Sequence, residues 1–276
     1  MRRPRVASKG TNFGVAFHVL PSAQREAIRA VHAFSRRVDD AVDEEPDRER
    51  AREEIEHWRR EIAACYGGEP MEPAAIRLKP HLLRFRIPRQ YLEELLNGVE
   101  MDLTHHRYRT FPELRGYCYR VAAVVGFICL RIFGDEEERG RNYAENLGLA
   151  LQLTNILRDL GADHARGRIY IPAEDLQSFG YSEEALARHE RSEAFHSLMR
   201  FQVARARAFF AAAEREARSL DRRRIVAAEI MSRVYQRLLA RIEARNYDVF
   251  QDEVRVPFHE RAWIAGSTLI AASVAR

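Results

Sequence analysis

Turn-forming residues are scarce in this chain of 276 residues, which has 14 glycines and 10 prolines. Together they make up about 9% of the sequence, below the roughly 12% of average usage, so few tight turns are available to a many-stranded β protein. Hydrophobic residues form 46% and charged residues 31% of the chain, which is ordinary globular usage and argues against disorder. The composition therefore favours long helices joined by short loops.

Cysteine and long apolar runs are also scarce. The cysteines form no C-x-x-C pair, which argues against a zinc knuckle or structural disulfides and indicates a reducing compartment, the cytoplasm; they are Cys65, Cys118 and Cys129. No signal peptide is visible, and no segment has the roughly 18 apolar residues of a membrane span. Residues 262–275, which include Trp263, have the length of a terminal helix that could lie peripherally on a membrane.

Lysine is nearly absent, because Lys9 and Lys79 are the only lysines among 45 basic residues. With 41 acidic residues the formal net charge is +4. The arginines are interleaved with acidic residues, as in residues 48–61, and this pattern predicts no nucleic-acid partner. Guanidinium groups bind phosphate in bidentate fashion, so arginines next to acidic motifs are candidate phosphate ligands.

Apolar residues recur at spacings of three and four along most of the chain, which predicts amphipathic helices. The predicted helices cover residues 21–44, 48–66, 74–85, 88–102, 114–133, 137–160, 193–220 and 222–246, with a short helix at the C-terminus. Residues 161–180 contain three glycines and Pro172 and are predicted to form an ordered loop. No linker or repeat divides residues 1–276, so the prediction is a single all-α domain.

An acidic motif ends the first long predicted helix. Asp39 and Asp43 are four residues apart, so their carboxylates lie on one face, one turn apart. Like charges at this spacing repel each other and oppose the helix dipole, an arrangement that a bound cation would stabilise. The alternative is a solvated helix end.

A second run of oxygen ligands, Asn155, Asp159 and Asp163, has the same spacing of four. Such ligands suit a hard cation, and Mg²⁺ commonly joins a few carboxylates to substrate phosphates. Two acidic helix faces would hold a cluster of about two to three Mg²⁺ ions against a diphosphate. Arginines accompany both motifs, at Arg36 and at Arg158.

Longer motifs occur in a fixed order: RRVDDAVDE at 36–44, GYCYRVA at 116–122, LQLTNILRD at 151–159 and GRIYIP at 167–172. With these motifs the chain resembles the squalene/phytoene synthase family from about residue 10 to residue 257. The resemblance implies an all-α isoprenoid (prenyl) synthase fold around a central cavity, which joins two allylic diphosphates head to head with Mg²⁺. Within the family the chain is most similar to the bacterial presqualene diphosphate synthases of hopanoid pathways, which implies farnesyl diphosphate as substrate.

The resemblance also implies a role for each matching position. Asp39 and Asp43 match the first aspartate-rich motif, and Asn155, Asp159 and Asp163 match the second. The other matches are the basic residues Arg36, Arg158 and Arg168, the site tyrosines Tyr170 and Tyr247, the acidic residue Asp102, and the cavity-lining Phe13, Tyr117, Val121, Val125, Gly126 and Gln152. Plain core packing is the alternative for the lining positions of the helix at 114–133. The proton acceptor is Tyr247, Tyr170 or released diphosphate.

The chain departs from the family pattern at two positions. Ala162 stands where a Glu is usual, and Asn12 lies in a segment that resembles hydroxysqualene synthases. No Gly-rich dinucleotide fingerprint follows a strand, so NADPH is not expected as a cofactor. A phytoene synthase, an NADPH-dependent squalene synthase and a catalytically silent family member acting as an assembly protein are the alternatives, and no obligate protein partner is evident.

Overall fold

A computed structural model describes residues 13–43, 47–135 and 139–274, and these residues fold into helices and short connections. In chain order the elements are α1 Phe13–His18, α2 Ser22–Asp43, α3 Arg48–Gly67, α4 Pro73–Arg84, α5 Arg89–Thr104, α6 Phe111–Cys118, a π-helical segment Tyr119–Ala123, α7 Val124–Phe133, α8 Arg141–Ala165, α9 Ala173–Ser178, α10 Glu183–Ala187, α11 Glu193–Ala217, α12 Val226–Ala244 and α13 Phe258–Val274. Within these ranges the β-type pairing is one isolated parallel bridge, between Arg107 and Ile169. The predicted all-α class is confirmed.

Polar caps fix where several helices begin. Asp47 precedes α3, and its Oδ1 accepts a hydrogen bond from the N–H of Glu49 at 2.8 Å. Ser192 precedes α11 and accepts from the N–H of Phe195 at 3.4 Å. Side-chain oxygens of this kind satisfy N–H groups that the first turn of a helix leaves unpaired.

The largest difference from the predicted boundaries concerns α8. It was predicted over residues 137–160, but it runs from Arg141 to Ala165, and α9 also lies inside the predicted loop at 161–180. Gly161 does not end the helix, because Phe250 packs against it: a Cβ at Gly161 would lie 3.1 Å from the Phe250 ring. The added turn keeps Asp159 and Asp163 on one helical face.

Helix α8 lies at the centre of the fold. It packs along α11, and it also contacts the π-helical segment, α7 and α12. Gly148 permits the close approach to the π-helical segment, since a Cβ there would lie 2.7 Å from the Cα of Ala123. The acidic residues of α8 are therefore carried by a helix that neighbours hold on several sides.

The continuous helix Phe111–Phe133 combines α6, the π-helical segment and α7. By length and composition alone it could cross a membrane, which corrects the prediction that no segment is apolar enough. Half of its most apolar window is buried inside the fold, and α7 packs against α5 and α8. Its hydrophobicity is therefore that of a core helix. Its π-helical turn is a feature frequently found at functional sites.

Candidate active site

Asp102, in the last turn of α5, binds two tyrosines from other elements. Tyr170 Oη donates to Asp102 Oδ1 at 2.8 Å, and Tyr117 Oη donates to Oδ2 at 3.0 Å. The two phenol rings stack with their centroids 5.2 Å apart. Burial and then the charge of Asp102 raise the pKa of both phenols well above the usual value, so both remain protonated donors at neutral pH.

Tyr108 completes this group, and the sequence reasoning missed it. Its ring lies 5.9 Å from that of Tyr170 and 5.6 Å from that of Tyr117. The residue is 2% exposed, and its buried hydroxyl has no hydrogen-bond partner among the described residues. We call Asp102, Tyr108, Tyr117 and Tyr170 the phenol–carboxylate cluster. In the sequence, the only indication for Tyr108 is its position between Arg107 and Arg109 in a predicted loop.

Asp163, in the last turn of α8, is a half-buried carboxyl among like charges. Burial and then the charge of Asp159 raise its pKa to about 7, with a further contribution from Asp102 and with Arg166 and Arg168 opposing the shift. The turn after α8 connects this face to the phenol–carboxylate cluster, because the N–H of Arg168 donates to the carbonyl of Asp163 at 2.9 Å and Tyr170, two residues later, donates to Asp102. The structure therefore brings the second acidic motif and Asp102 together.

On α8, Asn155 lies about two turns and Arg158 about one turn before Asp163. Asn155 Nδ2 donates to Gln152 Oε1 at 3.4 Å, and the buried Asn155 Oδ1 has no partner among the described residues. Arg158 Nε donates to Asp159 at 2.7 Å, and a second N–H of the guanidinium completes a bidentate pair. Burial lowers the pKa of Arg158, but the bond to Asp159 outweighs it and keeps that pKa above its ordinary value.

The oxygen atoms on this face fit a hard cation. The unpartnered Asn155 Oδ1 is an available ligand, and Asp163 would ionise more easily beside a positive charge. No group of three or more His, Cys, Asp or Glu side chains within the described residues is placed to hold a metal by itself. Mg²⁺ usually keeps several waters and takes one or two carboxylates together with substrate phosphates, so an incomplete ligand set is compatible with it.

The first acidic motif lies at the end of α2. Asp39 is half-buried, and Arg36 pairs with Asp40 at 3.7 Å, with both side chains about half exposed. The side chains of Asp43 and Phe13 lie outside the described residues. Two statements stay predictions: that the first motif faces α8 with Arg36, Asp39 and Asp43, and that Phe13 lines a cavity.

Tyr247 contacts side chains of α11. It follows α12 in a left-handed conformation with φ of 60°, and its ring centroid is 6.2 Å from that of His196 in α11. Burial and then Glu243 raise its pKa, while Arg200 and Arg207 oppose the shift. These neighbours belong to α11 and α12, so its role at the site stays a prediction.

The predicted lining residues of the Phe111–Phe133 helix make close helix contacts. Val121 Cγ1 would lie 2.7 Å from a Cβ placed on Gly98 of α5. A Cβ on Gly126 would lie 3.1 Å from the carbonyl oxygen of Ala144 in α8. Val121 and Val125 are partly buried against the core. These are contacts of helix packing, and cavity lining stays a prediction.

Arg168 lies close to Asp163, and Arg48 lies beside His106 in the loop before α6. Arg168 follows α8, and its N–H donates to the carbonyl of Asp163 at 2.9 Å. The Arg48 guanidinium lies 3.1 Å from His106 Nε2, and since arginine can only donate, this nitrogen accepts. Burial and then Arg48 and Arg168 lower the pKa of His106. The sequence reasoning missed Arg48 and His106, which carry no motif.

Comparison with known proteins identifies the family of the chain. The family model for squalene/phytoene synthase matches residues 6–260. A phytoene synthase from Arthrospira platensis is 37% identical over 270 residues, which cover 92% of this chain and 87% of that protein. A presqualene diphosphate synthase from Rhodopseudomonas palustris is 38% identical over 239 residues, covering 86% of this chain and 85% of that protein.

A solved structure shares the fold. A dehydrosqualene synthase crystallised with a ligand superposes with a TM-score of 0.86 at 25% identity, covering 96% of this chain and 93% of that one. The helical architecture is that of an isoprenoid synthase. The chain belongs to the squalene/phytoene synthase family, a family of prenyltransferases, as its motifs predicted.

Proposed function

We propose that the chain catalyses the Mg²⁺-dependent head-to-head condensation of two farnesyl diphosphate molecules to presqualene diphosphate. The observation that carries the proposal is the acidic face of α8 beside the phenol–carboxylate cluster, where Asp163 has a pKa of about 7 because of burial and neighbouring carboxylates. The positive charge of Mg²⁺ ions bound with a diphosphate would relieve the repulsion among these carboxylates. The presqualene diphosphate synthase relative at 38% identity supports the same reaction.

Residues of both acidic motifs would hold the metal: Asn155, Asp159 and Asp163 on α8, with Asp39 and Asp43 on α2. When bound, Mg²⁺ neutralises the developing charge of a departing diphosphate. Arg168 and Arg48 would bind phosphate oxygens, as guanidinium groups do in bidentate geometry. Asp159 would share its carboxylate with Arg158, its partner in the structure.

The residues of the chain bind and orient the two substrate molecules, and they exclude water. One farnesyl group ionises to an allylic cation as its diphosphate leaves, and exclusion of water keeps the cation from being quenched to an alcohol. The double bond of the second farnesyl diphosphate attacks, a proton is lost and a cyclopropane closes. Tyr170 Oη donates to Asp102 Oδ1, so a proton taken up at Oη would send the phenol proton to Asp102. Among Tyr170, Tyr247 and released diphosphate, we therefore propose Tyr170 as the proton acceptor.

Phytoene synthase is the second candidate function, and one observation favours it. The Arthrospira platensis relative is 37% identical over 92% of this chain and is a phytoene synthase. Such an enzyme would take the longer geranylgeranyl diphosphate. NADPH-dependent squalene synthesis and a silent assembly role would each give a different result in the same assay.

Product analysis by mass spectrometry distinguishes these candidates. The purified protein is incubated with Mg²⁺ and either farnesyl or geranylgeranyl diphosphate, with and without NADPH. We expect presqualene diphosphate from farnesyl diphosphate whether or not NADPH is present. Squalene formed only with NADPH, or phytoene from the longer substrate, would replace the proposed product. Consumption of neither substrate by folded protein would contradict the proposed function.

We also propose peripheral membrane contact through α13. Trp263, Ile270 and Val274 are 76%, 68% and 75% exposed, and their spacings of seven and four place them on one helical face. A tryptophan in an apolar helix face is typical of interfacial helices. In liposome flotation, W263Q should weaken binding, whereas the control M71Q, which changes an equally exposed apolar residue, should not. Equal binding by all three proteins would contradict this contact.

A further inference from the structure

A cavity of about 410 Å³ lies between α11, α12 and the beginning of α8. Its volume is within the range of small-molecule sites. Tyr143, which lines it, is in the first turn of α8, while the acidic residues of the candidate active site are in the second half of the same helix. None of the residues of the phenol–carboxylate cluster lines the cavity.

Tyr143, which lines this cavity, has a hydroxyl donor that the described residues do not use. The residue is 3% exposed, and its buried hydroxyl has no hydrogen-bond partner among the described residues. Burial and then Glu229 raise its pKa, while Arg222 opposes the shift, so the phenol keeps its proton. Buried polar groups in folded proteins are nearly always paired, and a ligand oxygen would satisfy this one.

The charges that line the cavity leave an excess of positive groups. Arg222 donates to Glu229 Oε1 at 2.8 and 3.0 Å, so this glutamate is already neutralised. Arg218 and Arg233 also line the cavity, and neither side chain has a hydrogen bond or ion pair with any residue that the structure describes. Three arginines against Glu214 and Glu229 give the lining a formal charge of +1.

We propose that this cavity is a binding site for a small phosphate-bearing anion, separate from the candidate active site. Arg218 and Arg233 pair with the phosphate oxygens, and the Tyr143 hydroxyl donates a further hydrogen bond. Free diphosphate and the phosphates of a nucleotide share the chemistry that these groups recognise. The proposal does not rest on the proposed function, since a chain without synthase activity would keep the cavity.

Isothermal titration calorimetry tests the site with inorganic phosphate, inorganic diphosphate and ADP as separate probes. A chelator is present throughout, so that metal-dependent binding at α8 does not contribute. We expect one site per chain for at least one probe, and the probe bound most tightly distinguishes a free ion from a nucleotide. R218A/R233A should weaken binding at least about tenfold, since two charge-assisted contacts are lost. Y143F, which keeps the ring, should weaken it by about threefold to tenfold.

Two controls separate this site from the rest of the molecule. R60A/R77A removes two exposed arginines of α3 and α4 and should leave the affinity unchanged. D159N alters the candidate active site and should also leave it unchanged. Circular dichroism establishes that each variant is folded. Absence of binding for all three probes, wild-type affinity in R218A/R233A, or loss of binding in D159N would overturn the proposal.

Discussion

Two carboxylates withdrawn from bulk water, Asp175 in α9 and Asp163 in α8, have opposite surroundings. Asp175 accepts from Gln202 Nε2 at 2.8 Å and forms a two-pronged ion pair with Arg205 of α11. Asp163 has no hydrogen bond or ion pair to its carboxylate from any described residue, and its charge interacts with those of Asp159 and Asp102. The fold pairs one carboxylate with a cation, whereas the other lies beside like charges that Arg166 and Arg168 only partly offset.

The surroundings of Arg205 strengthen this contrast. Its guanidinium lies 4.2 Å from the ring centroid of Phe111 and 4.7 Å from that of Phe201, so aromatic faces hold the cation that pairs with Asp175. The pair ties α9 to α11 and needs nothing further. The comparison teaches that a satisfied buried charge indicates a structural contact, whereas an unsatisfied one indicates a site.

Removal of the Asp175 carboxylate should have the largest effect on stability. D175A leaves Arg205 as a buried, unpaired cation, so we expect the free energy of unfolding to fall by about 3–5 kcal/mol. Urea denaturation measures it. E93A, which breaks an exposed pair with Arg89, is the matched control and should cost less than about 1 kcal/mol. Equal losses in the two variants would contradict the structural role of Asp175.

Tyrosine substitutions test the candidate active site, which is the region of Asp163 in this comparison. Y170F removes the hydroxyl bonded to Asp102 but keeps the stacked ring, so we expect kcat to fall about 100-fold, the lower range for general acid–base catalysis. Y247F should reduce kcat by no more than a few-fold, because the Tyr247 hydroxyl, unlike that of Tyr170, has no hydrogen bond to a described carboxylate that could take its proton. Steady-state assays with farnesyl diphosphate provide both values. The reverse ranking would make Tyr247 the proton acceptor.

The raised pKa of Asp163 predicts a smaller, pH-dependent effect. A carboxyl whose pKa rises from 3.8 to about 7 on folding favours the folded state below pH 3.8, and this contribution is lost as the pH rises towards 7. In metal-free protein, D163N should therefore be more stable than the wild type at pH 8, by about 1–2 kcal/mol, and should lose this advantage near pH 4. Thermal unfolding at both pH values measures the difference. The same difference at both values would contradict the assigned pKa.

Local patterns were sufficient to predict much of the fold and the second acidic motif. The spacing of Asn155, Asp159 and Asp163 fixes a common helix face wherever α8 lies, because helical periodicity is local. The end of α8 was predicted wrongly because Phe250, distant in the sequence, packs against Gly161. Tertiary packing here overrides the low helix propensity of glycine.

Contacts between loops could not be predicted from periodicity. The Arg107–Ile169 bridge joins the loop before α6 to the loop after α8, and this pairing places Tyr108 and Tyr170 side by side. Neither loop has a repeating pattern that would indicate the contact. The motif match of Tyr247 likewise carried no information about its left-handed backbone, which places its ring beside α11.

Diphosphate release from farnesyl diphosphate with Mg²⁺, by the wild type and by D159N, tests the central claim most directly. The claim is that the acidic face of α8 carries the reaction. We expect D159N to release diphosphate about 100- to 1,000-fold more slowly, as loss of one transition-state stabilising group does. D159N also removes the charge that pairs with Arg158, whose side chain is 18% exposed, so its unfolding free energy should fall, and circular dichroism establishes that it is folded. Equal release rates in two folded proteins would contradict the claim.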